Sequence, residues 1–196
     1  ARRLAGMDKV CPQFHLALQS GSDGVLRRMA RQYNTSQYLR AVETLRAAFP
    51  RAAFTTDVLT GFPGETEAEY EETRAMIRRV GFAKIHVFPY SPREGTKAAA
   101  MPEQLTPALK EARARALIAL GNETALAYQR EWLGQTVQVL LETPTPEGWN
   151  GFTPEYIQVT VPDCPACRPG AMVAVQLTAL APEGLRGNIV AEAVLP

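Results

Sequence analysis

Two polar, glycine-containing segments carry residues that suit ligand binding. One segment reads Gln19-Ser20-Gly21-Ser22-Asp23, and the other reads Asp57-Val58-Leu59-Thr60-Gly61-Phe62-Pro63-Gly64-Glu65-Thr66. Glycine has no Cβ, so its backbone can approach a ligand closely, and the amides that open a following helix can hold an anion. The same patterns are also typical of ordinary capped or tight loops between a strand and a helix.

Histidine, lysine and cysteine residues suggest a second kind of chemistry. His15, Lys84 and His86 lie on predicted strands, where a lysine can form a Schiff base and a histidine can bind a metal. Cys164-Pro165-Ala166-Cys167 is a single CxxC motif, whereas a tetrahedral metal site needs four ligands and Cys11 is distant in the sequence. We therefore predict no metal site and interpret the CxxC motif as a turn.

The elements that position these residues alternate between strands and helices in the first two thirds of the chain. Buried strands are predicted at Phe14–Leu18, Ala52–Leu59 and Ala83–Phe88. Helices are predicted after Ser22, from Thr35 or Ser36, after the capping box at Thr66, and from Pro107 to about Trp132. Strands separated by helices favour a parallel α/β sheet, whose carboxyl edge binds ligands. Three strands cannot close a barrel, so this pattern indicates part of a larger α/β domain.

The last third of the chain follows a different pattern. β-rich runs separated by proline- and glycine-rich turns occur at Gln135–Glu142, Tyr156–Val161, Met172–Leu180 and Asn188–Val194. Short strands at this spacing predict a small all-β barrel.

Composition limits the class of protein. Of the 196 residues, 46% are hydrophobic and 21% are charged, which fits packed domains and excludes global disorder. No apolar run reaches the roughly 18 residues of a membrane helix, and no secretory leader opens the chain. Because three cysteines are too few for a disulfide scaffold, we expect a cytoplasmic protein.

Charge is divided unevenly along the chain. Residues 1–130 carry 19 basic and 13 acidic side chains, whereas residues 131–196 carry 2 basic and 7 acidic ones. This asymmetry indicates two modules with different partners. If a polyanion binds, its phosphates are expected to meet basic residues of the first module or the long helix. These residues are Arg27, Arg28, Arg40, Arg46, Arg51, Lys110, Arg113 and Arg115.

Three segments, in this order, resemble blocks of the radical S-adenosylmethionine methylthiotransferases. They are residues 15–31, which contain HLALQSGSD, residues 57–66 (DVLTGFPGET) and residues 86–96 (HVFPYSPREGT). The sequence from Leu133, with Gly151, Tyr156 and Gly187, resembles the small β-barrel called the TRAM domain. The resemblance implies a partial, half βα-barrel over residues 1–105, a connecting helix over 106–132 and a TRAM-like barrel over 133–196.

The resemblance implies an enzyme that adds a methylthio group at C2 of a hypermodified adenosine beside the tRNA anticodon. Such enzymes use S-adenosylmethionine and two [4Fe-4S] clusters, and their partner is the anticodon stem-loop of tRNA. The amino-acid sequence of residues 86–96 resembles enzymes that act on threonylcarbamoyladenosine more than those that act on isopentenyladenosine, so the first is the favoured substrate.

The chain departs from the family in its cysteines. The CxxxCxxC motif that holds the radical-generating cluster is absent, and so are the three cysteines of the family's amino-terminal domain. The chain therefore resembles the last three of six βα units followed by the TRAM domain, and we expect it to be inactive by itself. Its first strand, near Phe14, should expose a sheet edge that a second copy or another segment covers.

The resemblance also implies roles for individual residues. The expected contacts to S-adenosylmethionine come from Gln19, Ser20, Ser22, Arg31, Asp57, Gly61 and Gly64. Tyr90 and Arg93 are expected where substrate reaches the radical, and no catalytic residue is assigned within this chain. In the barrel, Trp149, Phe152 and Tyr156 are candidates for stacking on RNA bases, or, for Tyr156 especially, for filling the barrel core.

Two alternatives remain open from the sequence. The chain could be an RNA-binding module in which the α/β part is only a scaffold. It could also be a fragment of an unrelated aldolase-type barrel that uses Lys84 or His86. A CxxxCxxC motif upstream of Ala1 in the native gene would favour the radical enzyme, and its absence would exclude it.

Overall fold

A computed structural model describes residues 1–165 and 167–192, which divide into two compact units. The first unit contains residues 1–8 and 14–126, and the second contains residues 9–13 and the chain from residue 127 onward. No helix in the described ranges is both long enough and apolar enough to cross a membrane.

The first unit alternates strands and helices as predicted. The elements that lie wholly or mostly in this unit are, in chain order, α1 (Arg2–Ala5), β1 (Gln13–His15), α2 (Asp23–Arg28), α3 (Thr35–Ala48), β2 (Ala53–Thr60), α4 (Glu67–Val80), β3 (Lys84–Pro89), a 3-10 turn (Lys97–Ala100) and α5 (Pro107–Arg130). The strands form one sheet in the order β1-β2-β3, and β2 pairs with β3 in parallel. The α/β class and the open three-stranded sheet predicted from the sequence are therefore confirmed.

Local sequence signals determine where the helices begin and end. Thr66 caps α4 through a reciprocal capping box with Glu69, and Gly81 ends this helix at a left-handed φ of 64°. Helix α3 begins at Thr35, one of the two predicted starts; Asn34 caps it, and the side chain of Gln37 completes a second capping box. Ser22 precedes α2 without a side-chain cap bond.

The first strand is shorter than the predicted run Phe14–Leu18. The backbone N–H of Leu18 donates to the side-chain hydroxyl of Thr56 on β2 (2.8 Å) rather than to a backbone carbonyl of that strand. Gln19 then takes a left-handed φ of 61° and meets β2 only at an isolated parallel bridge with Val58. The predicted strand therefore ends in a loop that stays hydrogen-bonded to β2 through Leu18 and Gln19.

The helices bury one face of the sheet. Buried side chains from the sheet and its flanking turns, including Leu18, Phe54 and Val58, pack against helix residues such as Ile77 and Leu117. Burial alternates along β2, so every second side chain points away from this core.

The second unit contains a closed five-stranded barrel. Its strands are β4 (Thr136–Thr145), β5 (Gly148–Phe152), β6 (Gln158–Val161), β7 (Met172–Ala181) and β8 (Gly184–Glu192), and they pair in the order β4-β5-β6-β8-β7. The predicted all-β barrel is confirmed. The predicted strand Asn188–Val194 begins earlier, at Gly184, and its last residues, 193 and 194, lie outside the described residues.

Strand β5 was missed by the sequence pattern because glycines interrupt it. A Cβ at Gly151 would lie 2.7 Å from the Val139 side chain and even closer to the backbone of β4. The glycine therefore permits close strand contact at a corner of the barrel, which is a common role of glycine within strands.

Candidate functional site

The carboxyl ends of the three parallel strands meet at one edge of the sheet. The backbone of Gln19 bonds on both sides to β2, through Asp57 O (2.9 Å) and Leu59 N–H (2.8 Å). The N–H of Tyr90, the residue after β3, donates to Thr60 O (2.8 Å). The two segments singled out from the sequence therefore lie side by side, as expected for a ligand-binding edge of an α/β sheet.

The loop after β1 is held from beneath by buried hydroxyls. Ser20 and Ser22 are 0% and 1% exposed. The Ser20 hydroxyl lies 3.3 Å from that of Thr73 and accepts the Ser22 N–H, while Gly21 N–H donates to Thr73 Oγ1 (3.0 Å). A Cβ at Gly21 would lie 2.6 Å from the Thr73 backbone, so helix and loop touch directly. These two serines shape the loop, whereas the side chain of Gln19 is partly exposed.

The loop after β2 is held by a buried ion pair. The Glu65 carboxylate accepts the Gly61 N–H (2.8 Å) and pairs with the Arg113 guanidinium (2.8 Å), and both side chains are almost wholly buried. Burial is the main reason that the pKa of Glu65 is raised above its ordinary value, while the bonds from Gly61 and Arg113 favour the carboxylate. Gly61 itself has a φ of 74°, a conformation that glycine adopts without strain.

Arg28 joins α2 to the same loop. Its guanidinium donates to the carbonyls of Pro63 (3.3 Å) and Gly64 (3.1 Å) and forms a two-pronged pair with Glu69 (2.9 and 2.7 Å). The bond from Arg28 lowers the pKa of the Glu69 carboxyl below its ordinary value. Arg28 therefore ties α2 to the loop after β2 and to α4, so much of its guanidinium is already bonded within the protein.

The sheet face opposite the helices is largely polar. β2 directs Thr55, Asp57 and Leu59 to this face, and their register partners on β3 are Lys84, His86 and Phe88. Parallel sheets normally have both faces covered by apolar contacts. A face that carries ionisable side chains instead is suited to contact a polar ligand or solvent.

A hydrogen-bonded pair lies within this polar face. The His15 ring lies 3.1 Å from the Thr55 hydroxyl through Nδ1 and 3.5 Å from the Asp57 carboxylate through Nε2. Asp57 is thus flanked by His15 on one side and by its register partner His86 on the other. Asp57 and His86 are the polar groups of this face nearest the carboxyl ends of their strands, and Gln19 lies in the loop beside β2.

The remaining predicted residues of the first unit differ in exposure. Arg31 and Arg93 are exposed. Tyr90 lies directly after β3, but its side chain is buried beside Phe62 (ring centroids 5.3 Å apart) and beneath the Lys110 ammonium (4.9 Å from the ring centroid). Within the described residues, the Tyr90 hydroxyl has no hydrogen-bond partner.

Two basic residues of α5 were misjudged from the sequence. Lys110 and Arg113 were expected to meet phosphates, yet both are buried, and the two terminal nitrogens of Arg113 pair with Glu65 and Glu67. Their burial could have been predicted from their helical spacing with Leu117 and Leu120, which places all four residues on the buried face of α5.

Aromatic side chains form an exposed stack on the barrel. The rings of Phe152 and Tyr156 lie parallel, with centroids 4.7 Å apart and planes 16° apart, and Tyr156 is 68% exposed. The interpretation that Tyr156 fills the barrel core is therefore wrong. Trp149 packs partly against the barrel core, and its indole N–H donates to Asp163 (2.8 Å).

The cysteines do not form a metal site in the described part of the chain. Cys164 and Cys167 are joined by a disulfide, and Cys11 is free and exposed. Across residues 1–165 and 167–192, no three His, Cys, Asp or Glu side chains are grouped so that they could hold a metal ion.

Comparison with known proteins identifies similar sequences. Residues 1–77 match the family model of the Radical SAM superfamily. Similar proteins include threonylcarbamoyladenosine tRNA methylthiotransferase MtaB of Chlamydia pneumoniae, 38% identical over 96% of this chain, and tRNA-2-methylthio-N(6)-dimethylallyladenosine synthase of Moorella thermoacetica, 40% identical over 95%. A synthase of the latter kind from Symbiobacterium thermophilum is 40% identical over 96% of the chain. The chain spans 45%, 43% and 40% of the lengths of these three relatives, respectively.

Proposed function

Because the chain belongs to the tRNA methylthiotransferases of the radical S-adenosylmethionine superfamily, we propose that it forms part of an enzyme that adds a methylthio group to a tRNA adenosine. The observation that carries this proposal is the similarity to such enzymes along nearly the whole chain, the α/β unit and the barrel together. The position modified is C2 of the hypermodified adenosine 37, beside the anticodon. The enzyme works in the cytoplasm, where its tRNA substrate is found.

The residues at the carboxyl edge of the sheet suit S-adenosylmethionine. Asp57 offers a carboxylate on the polar face and Gln19 offers a partly exposed amide in the loop after β1, while Gly61 and Gly64 lie at positive φ in the loop after β2, where a side chain would be strained. Arg31 supplies a guanidinium for the cofactor's carboxylate. Ser20 and Ser22 are buried, and the bonds of the Ser20 hydroxyl to Thr73 and to the Ser22 N–H fix the shape of the loop that carries Gln19. When bound, the cofactor is the source of a 5′-deoxyadenosyl radical.

The residues of this chain do not suit iron–sulfur clusters. Such clusters need several thiolates, whereas Cys164 and Cys167 are joined to each other and Cys11 is the third cysteine of the sequence. We assign the ligands of the two [4Fe-4S] clusters to a part of the enzyme outside these 196 residues. The chain alone is then inactive.

The substrate we favour is threonylcarbamoyladenosine rather than isopentenyladenosine. The threonyl group carries a carboxylate, and the isopentenyl group is apolar. Arg93 is exposed in the segment that follows β3, so its guanidinium is available to a carboxylate. Tyr90 lies three residues before Arg93. Its buried ring packs against Phe62 and so anchors the start of this segment.

The barrel is the proposed contact for the anticodon stem-loop. Its charge is acidic, with Arg168 and Arg186 as its two basic residues after residue 130, so phosphate attraction contributes little there. The exposed stack of Phe152 and Tyr156 instead offers a flat platform for an unpaired base, and such stacking is worth about 1–3 kcal/mol per base. Trp149 orients the start of the same strand. This platform also supports the second candidate function, that of an RNA-binding module by itself.

The proposed domain limits follow the sequence interpretation: 1–105 for the partial βα-barrel, 106–132 for the connecting helix and 133–196 for the TRAM-like barrel. We further propose that the outer edge of β1 is covered either by the rest of the barrel or by self-association. Phe14 contributes to this edge, and its ring packs against Phe49 (centroids 5.0 Å apart).

The proposed function is tested by deleting the gene and analysing tRNA nucleosides by mass spectrometry. We expect the 2-methylthio form of threonylcarbamoyladenosine to disappear and its unmethylthiolated precursor to accumulate. Loss of the 2-methylthio isopentenyl nucleoside instead would support the proposed reaction but show that the substrate is isopentenyladenosine. An unchanged nucleoside profile, in a strain without a second such enzyme, would contradict the proposal and leave the RNA-binding module as the favoured function.

A further inference from the structure

The loop between β6 and β7 contains chemistry that the proposed function does not use. Cys164 and Cys167 are joined by a disulfide whose Cα atoms lie 5.1 Å apart, within the usual range for this bond. A Cys-x-x-Cys pair is typical of thiols that take part in exchange reactions. We propose that Cys164 and Cys167 are a reversible thiol–disulfide pair that reacts with low-molecular-weight thiols.

The disulfide is not needed to close the loop. Only three residue steps separate the two cysteines, so the bond removes little loop-closure entropy from the unfolded chain. The ends of the loop are fixed by other bonds. Trp149 donates to Asp163, Gly170 N–H donates to Leu141 O (2.8 Å), and Leu141 N–H donates to Ala171 O (2.8 Å). Both oxidation states are therefore compatible with the folded barrel.

The two sulfurs have different surroundings. Both cysteines are partly exposed, but Cys167 packs against the barrel core and its backbone N–H donates to Cys164 O (2.9 Å), whereas Cys164 is flanked by the exposed residues Asp163 and Pro165. An incoming thiolate is therefore expected to attack the sulfur of Cys164. The leaving thiolate then forms on Cys167, next in sequence to the exposed cation of Arg168.

The exchange is balanced with two equivalents of a thiol RSH. The first thiolate bonds to Cys164 Sγ while the Sγ–Sγ bond breaks, and the electron pair goes to Cys167 as a thiolate. A second RS⁻ attacks the sulfur of the bound RS group, releases RSSR and leaves Cys164 as a thiolate, and the two protons of the thiols return to the two cysteines. The protein is reduced by two electrons, and the small thiol is oxidised to its disulfide.

The test uses the whole chain with Cys11→Ser, which removes the free thiol, equilibrated in buffers of reduced and oxidised glutathione. Thiols are trapped with iodoacetamide and counted by mass spectrometry. We expect the count to change from zero to two, with both thiols appearing together and returning to zero on reoxidation. The far-UV circular dichroism and the tryptophan fluorescence maximum should show that the chain stays folded throughout.

Single variants in the Cys11→Ser background test the direction of attack. Cys167→Ser should accumulate a glutathione adduct on Cys164, at several times the rate at which Cys164→Ser accumulates one on Cys167. Equal rates would overturn the assigned order of attack. The proposal of a redox pair would be overturned if two thiols were alkylated in fully oxidised buffer. It would also be overturned if two thiols resisted alkylation only because they bind zinc. None of these outcomes bears on methylthiotransferase activity, so the two proposals fail separately.

Discussion

Replacing Arg113 by methionine tests whether the loop after β2 depends on the buried ion pair. The Arg113 guanidinium donates to Glu65 O (3.0 Å), to Glu65 Oε2 (2.8 Å) and to Glu67 Oε2 (2.8 Å), and it lies over the Tyr70 ring. Methionine keeps much of the volume but removes every donor. The matched control is Arg115→Met, because Arg115 lies on the same helix in an exposed pair with Glu111 (3.3 Å).

The expected magnitude follows from the burial of the partner. Glu65 is 1% exposed in its side chain, so the variant would leave a buried carboxylate without its cation. Breaking a buried pair from one side costs about 3–5 kcal/mol. The bond to Glu67 adds little because the Glu67 side chain is 70% exposed. The exposed pair of Arg115 is worth less than about 1 kcal/mol, so the control should unfold nearly like the parent chain.

The pH dependence of the variant has a definite sign. Burial already raises the pKa of Glu65 in the parent chain, and loss of Arg113 should raise it further. A carboxyl whose pKa is raised on folding contributes stability below its unfolded pKa and loses that contribution as pH rises through the folded pKa. The deficit of Arg113→Met should therefore be smaller near pH 5 than near pH 8. In the Glu65→Gln background the variant should cost less than in the parent.

Urea unfolding followed by circular dichroism measures the effect in the unit concerned. The helices of the first unit dominate that signal, while both tryptophans, Trp132 and Trp149, lie in the second unit and report the barrel through fluorescence. The dichroism transition should shift to lower urea and the fluorescence transition should not. If Arg113→Met and Arg115→Met differ by less than about 1 kcal/mol, the ion pair does not hold the loop.

Three further outcomes are expected. Arg28 lowers the pKa of the Glu69 carboxyl, so the parent chain should have a free energy of unfolding about 1 kcal/mol higher than Glu69→Gln at neutral pH. In urea titrations this difference should be present above the ordinary carboxyl pKa and vanish as pH falls through the lowered pKa. Gly151→Ala should destabilise the barrel by about 1–3 kcal/mol in tryptophan-monitored unfolding, because its Cβ would press on Val139; an unchanged midpoint would contradict the close strand contact. The chain, reconstituted anaerobically with iron and sulfide, should show no stoichiometric [4Fe-4S] absorbance, and one cluster per chain would contradict the ligand assignment.

Hydrophobic periodicity and helix-capping residues predicted most of the helices and strands. The capping box at Thr66, the left-handed Gly81 and the proline at the start of α5 mark helix ends within a residue, because each acts through local backbone chemistry. Strand β5 was not foreseen because its glycines satisfy contacts with a neighbouring strand, and no local pattern reports such contacts.

The site could be predicted only as far as its position. The sequence indicated that Gln19 and Asp57 lie near one sheet edge, and the backbone bonds between their strands confirm it. Whether a side chain faces a ligand or supports a loop depends on packing from distant residues. Ser20 is buried by Thr73 of α4, which lies 53 residues later, and Arg113 is buried by Glu65, which lies 48 residues earlier.

Radical methylthiolation of tRNA is tested most directly by an anaerobic assay of the enzyme of which this chain is proposed to form part. The reconstituted enzyme is incubated with a reductant, S-adenosylmethionine and tRNA that carries threonylcarbamoyladenosine, and both products are measured by mass spectrometry. We predict that 5′-deoxyadenosine and the 2-methylthio nucleoside form together, and that Asp57→Asn reduces both while the exposed-surface variant Arg115→Met does not. Formation of neither product by the cluster-loaded parent enzyme would contradict the account.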